Sequence, residues 1–433
     1  MKNFFKKIIV KIIQKEASLV LKKYKPKIIA VTGSVGKTGT KDAIFTVMSS
    51  SFFVRKSAKS FNSEIGVPLT ILGCPNAWNS VFLWIKNIFE GIALLVLPNR
   101  YPEWLVLEVG ADRPGDIKDI TKWLKPDIVV ITRFSKTPVH VEFFSSPDQL
   151  IKEKSYLVSA LKRDGVLVLN NDDTDAMSFK ELSECKTLIY GIGEGSSVKT
   201  SDYKIIYKKR GRINVPSGIN FNIENNSESA PLTIDGSIGF QHVYHCLAAF
   251  AVGLSQNLSL VKMAKAMANH DLPKGRMRLI EGIKDSTIID DTYNSSPIAL
   301  NEALETLKSI KTHGRKIAAL GDMLELGKYS SDEHKNAGAL AGSFCDFLIT
   351  VGVRARYFVD GALNGGMSEK NIFQFENSKE AGKFLETWVD KGDIILSKGS
   401  QSMRMERIVE EVMAHPENKE NLLVRQEEEW LKR

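Results

Sequence analysis

Four stretches of four consecutive apolar residues, Ile28 to Val31, Trp104 to Leu107, Ile128 to Ile131 and Val166 to Leu169, punctuate the first half of the chain, with helical spacing between them. Runs of this kind predict strands buried on both faces, which a parallel sheet requires. Between residues 195 and 240 the pattern changes to short alternating segments such as Tyr203 to Tyr207 and Ile219 to Ile223, predicting a small antiparallel layer. A helix follows from about Val243 to Leu254, then a polar, proline-containing connection near His270 to Gly275. Strand and helix alternation resumes through Ile288 to Asp291, Lys316 to Leu320, Phe347 to Val351 and Asp393 to Leu396. The expectation is an α/β protein: a doubly wound central domain carrying a small antiparallel sheet, then a Rossmann-like C-terminal domain, with a boundary near residue 270. Residues 28–270 and 271–433 are the two domains on this reading, preceded by a separate segment 1–27. In such folds ligands collect at the carboxyl ends of the strands.

Two segments stand outside that alternation. In residues 1–27, Phe4, Phe5, Ile8, Ile9, Ile12 and Ile13 recur among lysines at helical spacing, giving a basic amphipathic helix. It suits two settings equally, the surface of an anionic membrane or a seat on its own domain with a solvated lysine face. It lacks the uninterrupted apolar run and cleavage site of a signal peptide. Residues 78–97 form a second apolar stretch in which Lys86 and Glu90 stand four apart, as a helical pair would. Those charges argue against a spanning helix and for a buried or interfacial one, burial being the commoner case.

The net charge of +8 changes the picture only because of where it sits. Of 59 lysines and arginines and 51 acids, nine lysines and one acid, Glu16, fall within residues 1–27, and the rest cancel. A basic surface for nucleic acid is therefore not expected. At 433 residues the chain accommodates two or three domains. Its four cysteines, at 74, 185, 246 and 345, are widely spaced and suggest neither a disulfide framework nor a zinc site, in keeping with a reducing cytoplasm.

The chemistry begins where the first apolar strand runs into Thr32-Gly33-Ser34-Val35-Gly36-Lys37-Thr38-Gly39. Glycines let backbone N–H groups converge on phosphate oxygens, Lys37 adds a mobile cation and Thr38 offers a hydroxyl to Mg²⁺. This is the expected grip on ATP or GTP. The common phosphate-loop spacing would require glycine where Val31 stands, whereas here Thr32-Gly33 sits close to Gly36-Lys37. The shorter loop resembles that of the Mur ligase and folylpolyglutamate synthetase superfamily.

Five further segments extend the likeness: Phe61 to Pro68, Glu108 to Ile117, Asp290 to Pro297, Leu320 to Gly327 and Lys398 to Glu406. In that order, over residues 28 to about 412, they resemble the landmarks of the Mur ligase family in its MurF type, the UDP-N-acetylmuramoyl-tripeptide D-alanyl-D-alanine ligases. The resemblance implies an ATP-dependent, ADP-forming ligase that makes a carbon–nitrogen bond through an acyl phosphate. It implies Lys37, His140, Lys154 and Arg276 as catalytic residues, and Gly33, Ser34, Val35, Gly36, Lys37, Thr38, Gly39, His245, Arg276 and Asp291 as the ATP site. Thr38, Glu108, His140 and Lys154 would serve the metal, Lys154 as a carbamylated lysine. Asn62, Asp322, Glu325, Lys398 and Ser400 would hold substrate.

Some positions depart from the family pattern. His245 stands where an asparagine would face adenine, Arg133 where an asparagine follows Val-Ile-Thr, and Ala111 to Asp116 replaces Ala-Asn-His-Pro-Gly-Glu. A usual member also carries a domain-sized segment ahead of the phosphate loop that grips UDP. Only 27 residues precede Ile28 here, so that grip is expected to be missing. The expected activity is addition of D-alanyl-D-alanine or a similar amine to a muropeptide precursor in cell-wall biosynthesis. One alternative keeps the chemistry on a lipid-linked or folylpolyglutamate-like carboxylate; another is a membrane-associated nucleotide-binding regulatory protein. The expected partners are the muropeptide and an amino acid or dipeptide, without nucleic acid. A cytoplasmic monomer is expected, with peripheral contact to the inner face of the membrane through residues 1–27.

Overall fold

The computed structural model describes residues 2–58, 61–78, 80–137, 141–144, 146–226 and 228–431. Its first sheet has six parallel strands: β1 (Lys27–Thr32), β2 (Val54–Lys56), β3 (Trp104–Glu108), β4 (Ile128–Ile131), β5 (Val166–Asn170) and β6 (Lys186–Tyr190). They lie in the order β2-β3-β1-β4-β5-β6. The chain winds one way from β1 and then returns to its other side at β4, which leaves a crevice at the carboxyl end of β1. The helices over this part are α1 (Lys2–Tyr24), α2 (Lys37–Ser49), α3 (Gly66–Leu72), α4 (Val81–Val96), α5 (Asp116–Ile120), α6 (Pro147–Ser159) and α7 (Thr174–Ser178).

Alternate residues of the central strands feed two apolar layers. Ile28, Ala30, Leu105, Leu107, Val129 and Ile131 pack against α1, α3 and α6 through Ile13, Ala17, Val20, Leu69 and Leu157. Ile29, Val31, Val106 and Val130 face the opposite layer, which includes Ile44 and Val47 of α2. Continuous apolar runs are what a sheet covered on both sides demands. In α1, Val10, Ile13, Ala17 and Val20 are buried at helical spacing, so one face of the basic helix does sit on its own sheet.

The second apolar stretch behaves differently from a buried helix. Ser80 caps α4 by accepting from the Leu83 N–H, and Leu97 ends it ahead of Pro98. Its buried residues are Asn87, Gly91 and Leu94, while most of its large apolar side chains face out. Burial, the commoner case, is therefore corrected. Among the described residues no helix is long and apolar enough to cross a membrane.

The antiparallel layer comprises β7 (Lys199–Arg210), β8 (Ile213–Asn225) and β9 (Glu228–Asp235), longer strands than the short segments expected, with irregularities in β7 that break their alternation. Ile219, Phe221 and Ile223 of β8 close over the core on the α2 side. There α8 (Gln241–Ser255) packs through Leu247, Phe250 and Ala251, followed by α9 (Leu260–Met267).

A second six-stranded sheet holds β10 (Arg278–Glu281), β11 (Thr287–Asp291), β12 (Lys316–Gly321), β13 (Phe347–Val351), β14 (Ile372–Phe375) and β15 (Ile394–Lys398). Its order is β10-β11-β15-β12-β13-β14, with only the edge strand β10 antiparallel. Around it lie α10 (Pro297–Ser309), α11 (Ser330–Gly342), α12 (Arg356–Asn364), α13 (Ser378–Trp388) and α14 (Glu406–Val412). An ion pair between Arg133, just past β4, and Glu302 of α10 ties the two halves together. The carboxyl ends of β1 and β3 open onto the same cavity as those of β11 and β15.

Candidate active site

Backbone geometry at the end of β1 explains the glycines. At Gly33 the backbone has φ of +144°, and an added Cβ would stand 2.0 Å from Thr132 Oγ1, so no other residue fits without displacing β4's end. Gly36, at φ of +85°, turns the chain into α2. The Ser34 and Val35 N–H groups donate to the Arg133 carbonyl at 2.7 and 3.2 Å, which pins the loop to the neighbouring strand's exit. Lys37 folds back over this loop and donates to the Gly33 and Ser34 carbonyls at 3.0 and 3.3 Å. Burial pulls its ammonium below the ordinary lysine range, with the Glu108 carboxylate opposing and Arg276 reinforcing that shift.

Glu108 ends β3 as a buried carboxylate, sited by the strand rather than by a loop. Its Oε2 accepts from the Thr38 hydroxyl at 2.9 Å and its Oε1 from the Asn62 amide at 3.0 Å. Threonine and carboxylate oxygens are hard donors, the set that suits Mg²⁺. On α6, consecutive residues take opposite tasks. The Glu153 carboxylate accepts from the Gly115, Ile117 and Lys118 N–H groups, securing the N-terminus of α5. Lys154 is buried and lines the cavity. Desolvation pushes its ammonium down to about 7, Lys37 repels it further, and Glu153 and Asp112 pull the other way.

From the second sheet, Arg276 lies over the Tyr293 ring at 4.2 Å and enters the same cavity. Asp291 ends β11 and pairs with Lys398, at the end of β15, at 2.6 Å. The Asp291 carboxylate also accepts from the Met277 N–H at 3.2 Å, and Lys398 donates to the Asn294 carbonyl at 2.9 Å. Two residues expected to hold different ligands thus neutralise each other as a buried pair on adjacent strands.

The cavity is about 1500 Å³ and collects Gly33, Ser34, Val35, Gly36, Lys37, Thr38, Gly39, Asn62, Glu108, Lys154, His245, Arg276, Asp291, Glu325, Lys398 and Ser400. His245 packs its ring against the glycine face of α2: an added Cβ at Gly39 would lie 2.2 Å from His245 Cε1. Burial holds its imidazole well below the ordinary histidine range. Asp322 is not among the lining residues; it accepts from the Ala355 N–H at 2.6 Å, ahead of α12, and its carbonyl accepts from the Ser400 N–H. The Ser400 hydroxyl in turn accepts from the Leu324 N–H at 2.9 Å. His140 lies outside the described residues.

Sequence reasoning passed over a second group in the same cavity. Arg404 and Arg425 both pair with Glu406, at 2.5 and 2.8 Å, and Arg425 also donates to the Thr292 and Tyr293 carbonyls. Through these contacts residues 423 to 427 and Trp430 form part of the wall. No local pattern in the tail signals this, because the carbonyls that receive Arg425 lie more than a hundred residues earlier.

Residues 91–253 match the Mur ligase middle domain and residues 275–401 the Mur ligase glutamate ligase domain. The chain is 28% identical over 405 residues to the UDP-N-acetylmuramoyl-tripeptide–D-alanyl-D-alanine ligase of Bacillus subtilis, spanning 93% of this chain and 79% of that protein. It superposes on the MurF ligase of Thermotoga maritima, solved in complex with ADP, with a TM-score of 0.74 and 25% identity over 93% of this chain and 83% of that one. MurF from Acinetobacter baumannii shares the fold at a TM-score of 0.74 and 24% identity, over 92% of this chain and 79% of that one. With two family domains in succession, and a phosphate loop, carboxylate, lysine and arginine converging on one cavity between two sheets, the chain belongs to the Mur ligase family.

Proposed function

We propose that this chain is an ATP-dependent, ADP-forming ligase that joins D-alanyl-D-alanine, or a similar amine, to a carboxylate of a muropeptide precursor. The observation that carries this reading is the convergence of Lys37, Thr38, Glu108 and Lys154 from the first sheet with Arg276, Asp291 and Lys398 from the second in one cavity. On this reading residues 28–270 bind ATP and residues 271–433 close over it, supplying Arg276.

The chemistry has two steps. An acceptor carboxylate oxygen attacks the γ-phosphorus and ADP leaves; the dipeptide amine then attacks the acyl carbon of the acyl phosphate and inorganic phosphate leaves. Both steps concentrate negative charge, which Lys37 and Arg276 neutralise where it develops. Thr38 and Glu108 would hold Mg²⁺, with His140 adding to the metal site, and the ion would screen phosphate charge. Burial, by bringing the Lys154 ammonium down to about 7, leaves a substantial share of the amine uncharged near neutral pH, the form that adds CO₂; as a carbamate this residue would support a further cation. The loop from Gly33 to Gly39 cradles the phosphates, with His245 and Asp291 on the nucleoside side. Asn62, Glu325, Ser400 and Lys398 face the substrate, and Asp322 acts behind Ser400 by holding its N–H.

Peripheral contact with the inner face of the cytoplasmic membrane through the nine lysines of residues 1–27, by a monomer, belongs to the same reading. The test is amine-dependent ADP release over a panel of muropeptide acceptors, folate-type acceptors and dipeptides. ADP release that ignores the amine, or that is fastest with a folate-type acceptor, refutes the assignment.

A further inference from the structure

α4 is apolar on the face it turns outward as well as on the face it packs. Its outward residues Phe82, Ile85, Phe89, Ile92 and Val96 follow one another at intervals of three and four, the spacing of a single helical face. They are large and apolar, and Phe82, Phe89 and Val96 are 87%, 66% and 73% exposed. The opposite face, which meets the protein, buries Asn87, Gly91 and Leu94, with Trp84, Ile88 and Leu95 packed beside them. A helix on a water-facing surface would carry polar residues on that outer face. Val81, Leu83 and Leu97 widen the exposed patch, which a water-facing surface does not normally sustain.

The neighbouring α1 supplies the complementary charge. Glu16 of α1 sits against Gly91 of α4, and Lys23 donates to the Leu94, Leu95 and Leu97 carbonyls at the C-terminus of α4. The exposed positions of α1 include Ile8, Lys11, Ile12, Lys15, Leu19 and Lys22, an alternation of apolar and cationic side chains. Glu16, the one acid of residues 1–27, is buried, so that face presents no carboxylate. Lys86 and Glu90, the charges within α4, pair with each other at 3.6 Å.

We propose that α4 is an in-plane membrane anchor: its Phe82 to Val96 stripe enters the acyl region of an anionic bilayer while the lysines of α1 engage the headgroups. This rests on the peripheral contact proposed above and adds the element that inserts. Charge selects lipid over a second copy of the chain, because two such faces would bring like-charged lysines together, whereas anionic headgroups attract them. At about 24 Å, a 16-residue helix lying flat offers enough apolar length to hold without spanning.

The test is co-sedimentation of the full chain with vesicles of phosphatidylcholine alone and of phosphatidylcholine mixed with phosphatidylglycerol, at low and high salt. Two variants accompany it, Phe82→Ser/Phe89→Ser and Lys11→Gln/Lys15→Gln/Lys22→Gln. The wild type is expected to bind the anionic vesicles, the serine variant at least tenfold more weakly with unchanged circular dichroism and unchanged ADP release on a soluble acceptor. The glutamine variant should lose most of its salt-sensitive binding. If the serine variant binds like wild type, α4 is not the anchor; if the glutamine variant then still loses binding, the electrostatic contact of residues 1–27 stands without it. A wild type that ignores both vesicles overturns insertion and electrostatic contact together, and leaves the ligase assignment to its own ADP assay. A dimer in sedimentation velocity that the serine substitutions dissolve assigns the face to self-association and overturns the lipid proposal.

Discussion

Replacing Gly39 by alanine should change the sign of its effect depending on whether His245 is present. Gly39 lies in the first turn of α2, and an added Cβ would stand 2.2, 2.4 and 2.8 Å from His245 Cε1, Nδ1 and Nε2. The ring cannot simply retreat, since His242 meets it edge-on with centroids 5.6 Å apart and α8 is itself packed in the core. Overpacking of this kind costs about 1–3 kcal/mol. Alanine in place of glycine in a helix returns about 0.5–1 kcal/mol. Gly39→Ala alone should therefore destabilise by up to about 2.5 kcal/mol, while in a His245→Ala background it should stabilise by about 0.5–1 kcal/mol, a coupling above the scatter of independent sites. Urea and thermal unfolding of the four proteins without nucleotide measures this, and ATP affinity of the same set reports whether the displaced ring disturbs the phosphate loop. Equal destabilisation by Gly39→Ala in both backgrounds would refute the steric account of this glycine.

Lys37→Ala should abolish ATP turnover with unchanged circular dichroism, because this side chain contacts loop carbonyls and supplies no core packing; wild-type ADP release in the variant would end its assignment to phosphoryl transfer. Lys154→Ala should lose most activity and recover part of it when short carboxylic acids are added, and unchanged kinetics would show that no carbamate acts there. Glu16→Gln tests the buried seam between α1 and α4. Burial raises the Glu16 carboxyl to about 7, so the folded protein holds a proton that the unfolded chain releases near 4.5, and stability falls as pH rises between those values. The glutamine variant should thus be more stable than wild type at pH 8 by up to about 3 kcal/mol and nearly equal to it at pH 5, as read by urea unfolding at the two values; a difference independent of pH contradicts a desolvated carboxylate.

What could be read from the sequence was what is local or periodic. Ile28 to Val31, Trp104 to Leu107 and Ile128 to Ile131 are strands because continuous apolar runs have few other places to go, and the phosphate loop follows from glycine positions within eight residues. Composition and spacing carry no information on which way a helix is turned. The apolar content of α4 suggested burial, yet Phe82, Phe89 and Val96 stand exposed on its outer face. Long-range pairing was equally hidden: Asp291 with Lys398, Arg133 with Glu302, and Arg425 with Glu406 depend on sheet order and on the path of the tail. Asp322 was singled out from its motif, whereas its carboxylate is committed to the Ala355 N–H.

The adjacency of Glu153 and Lys154 limits where this chain can tolerate a change in length. Successive residues of a helix point about 100° apart, and here one direction leads to the N-terminus of α5 and the other into the cavity. Leu157 and Val158 key the far end of α6 into the core. Losing or gaining a residue before Pro147 leaves that relation untouched, because Glu153, Lys154, Leu157 and Val158 keep their spacing within α6. Removing Ser155 or Tyr156 instead would rotate the acid and the lysine against their anchor, carrying Lys154 out of the cavity and Glu153 off the α5 amides. Single-residue deletions scanned from 141 to 158 should therefore divide sharply, with active enzyme recovered only from the upstream side.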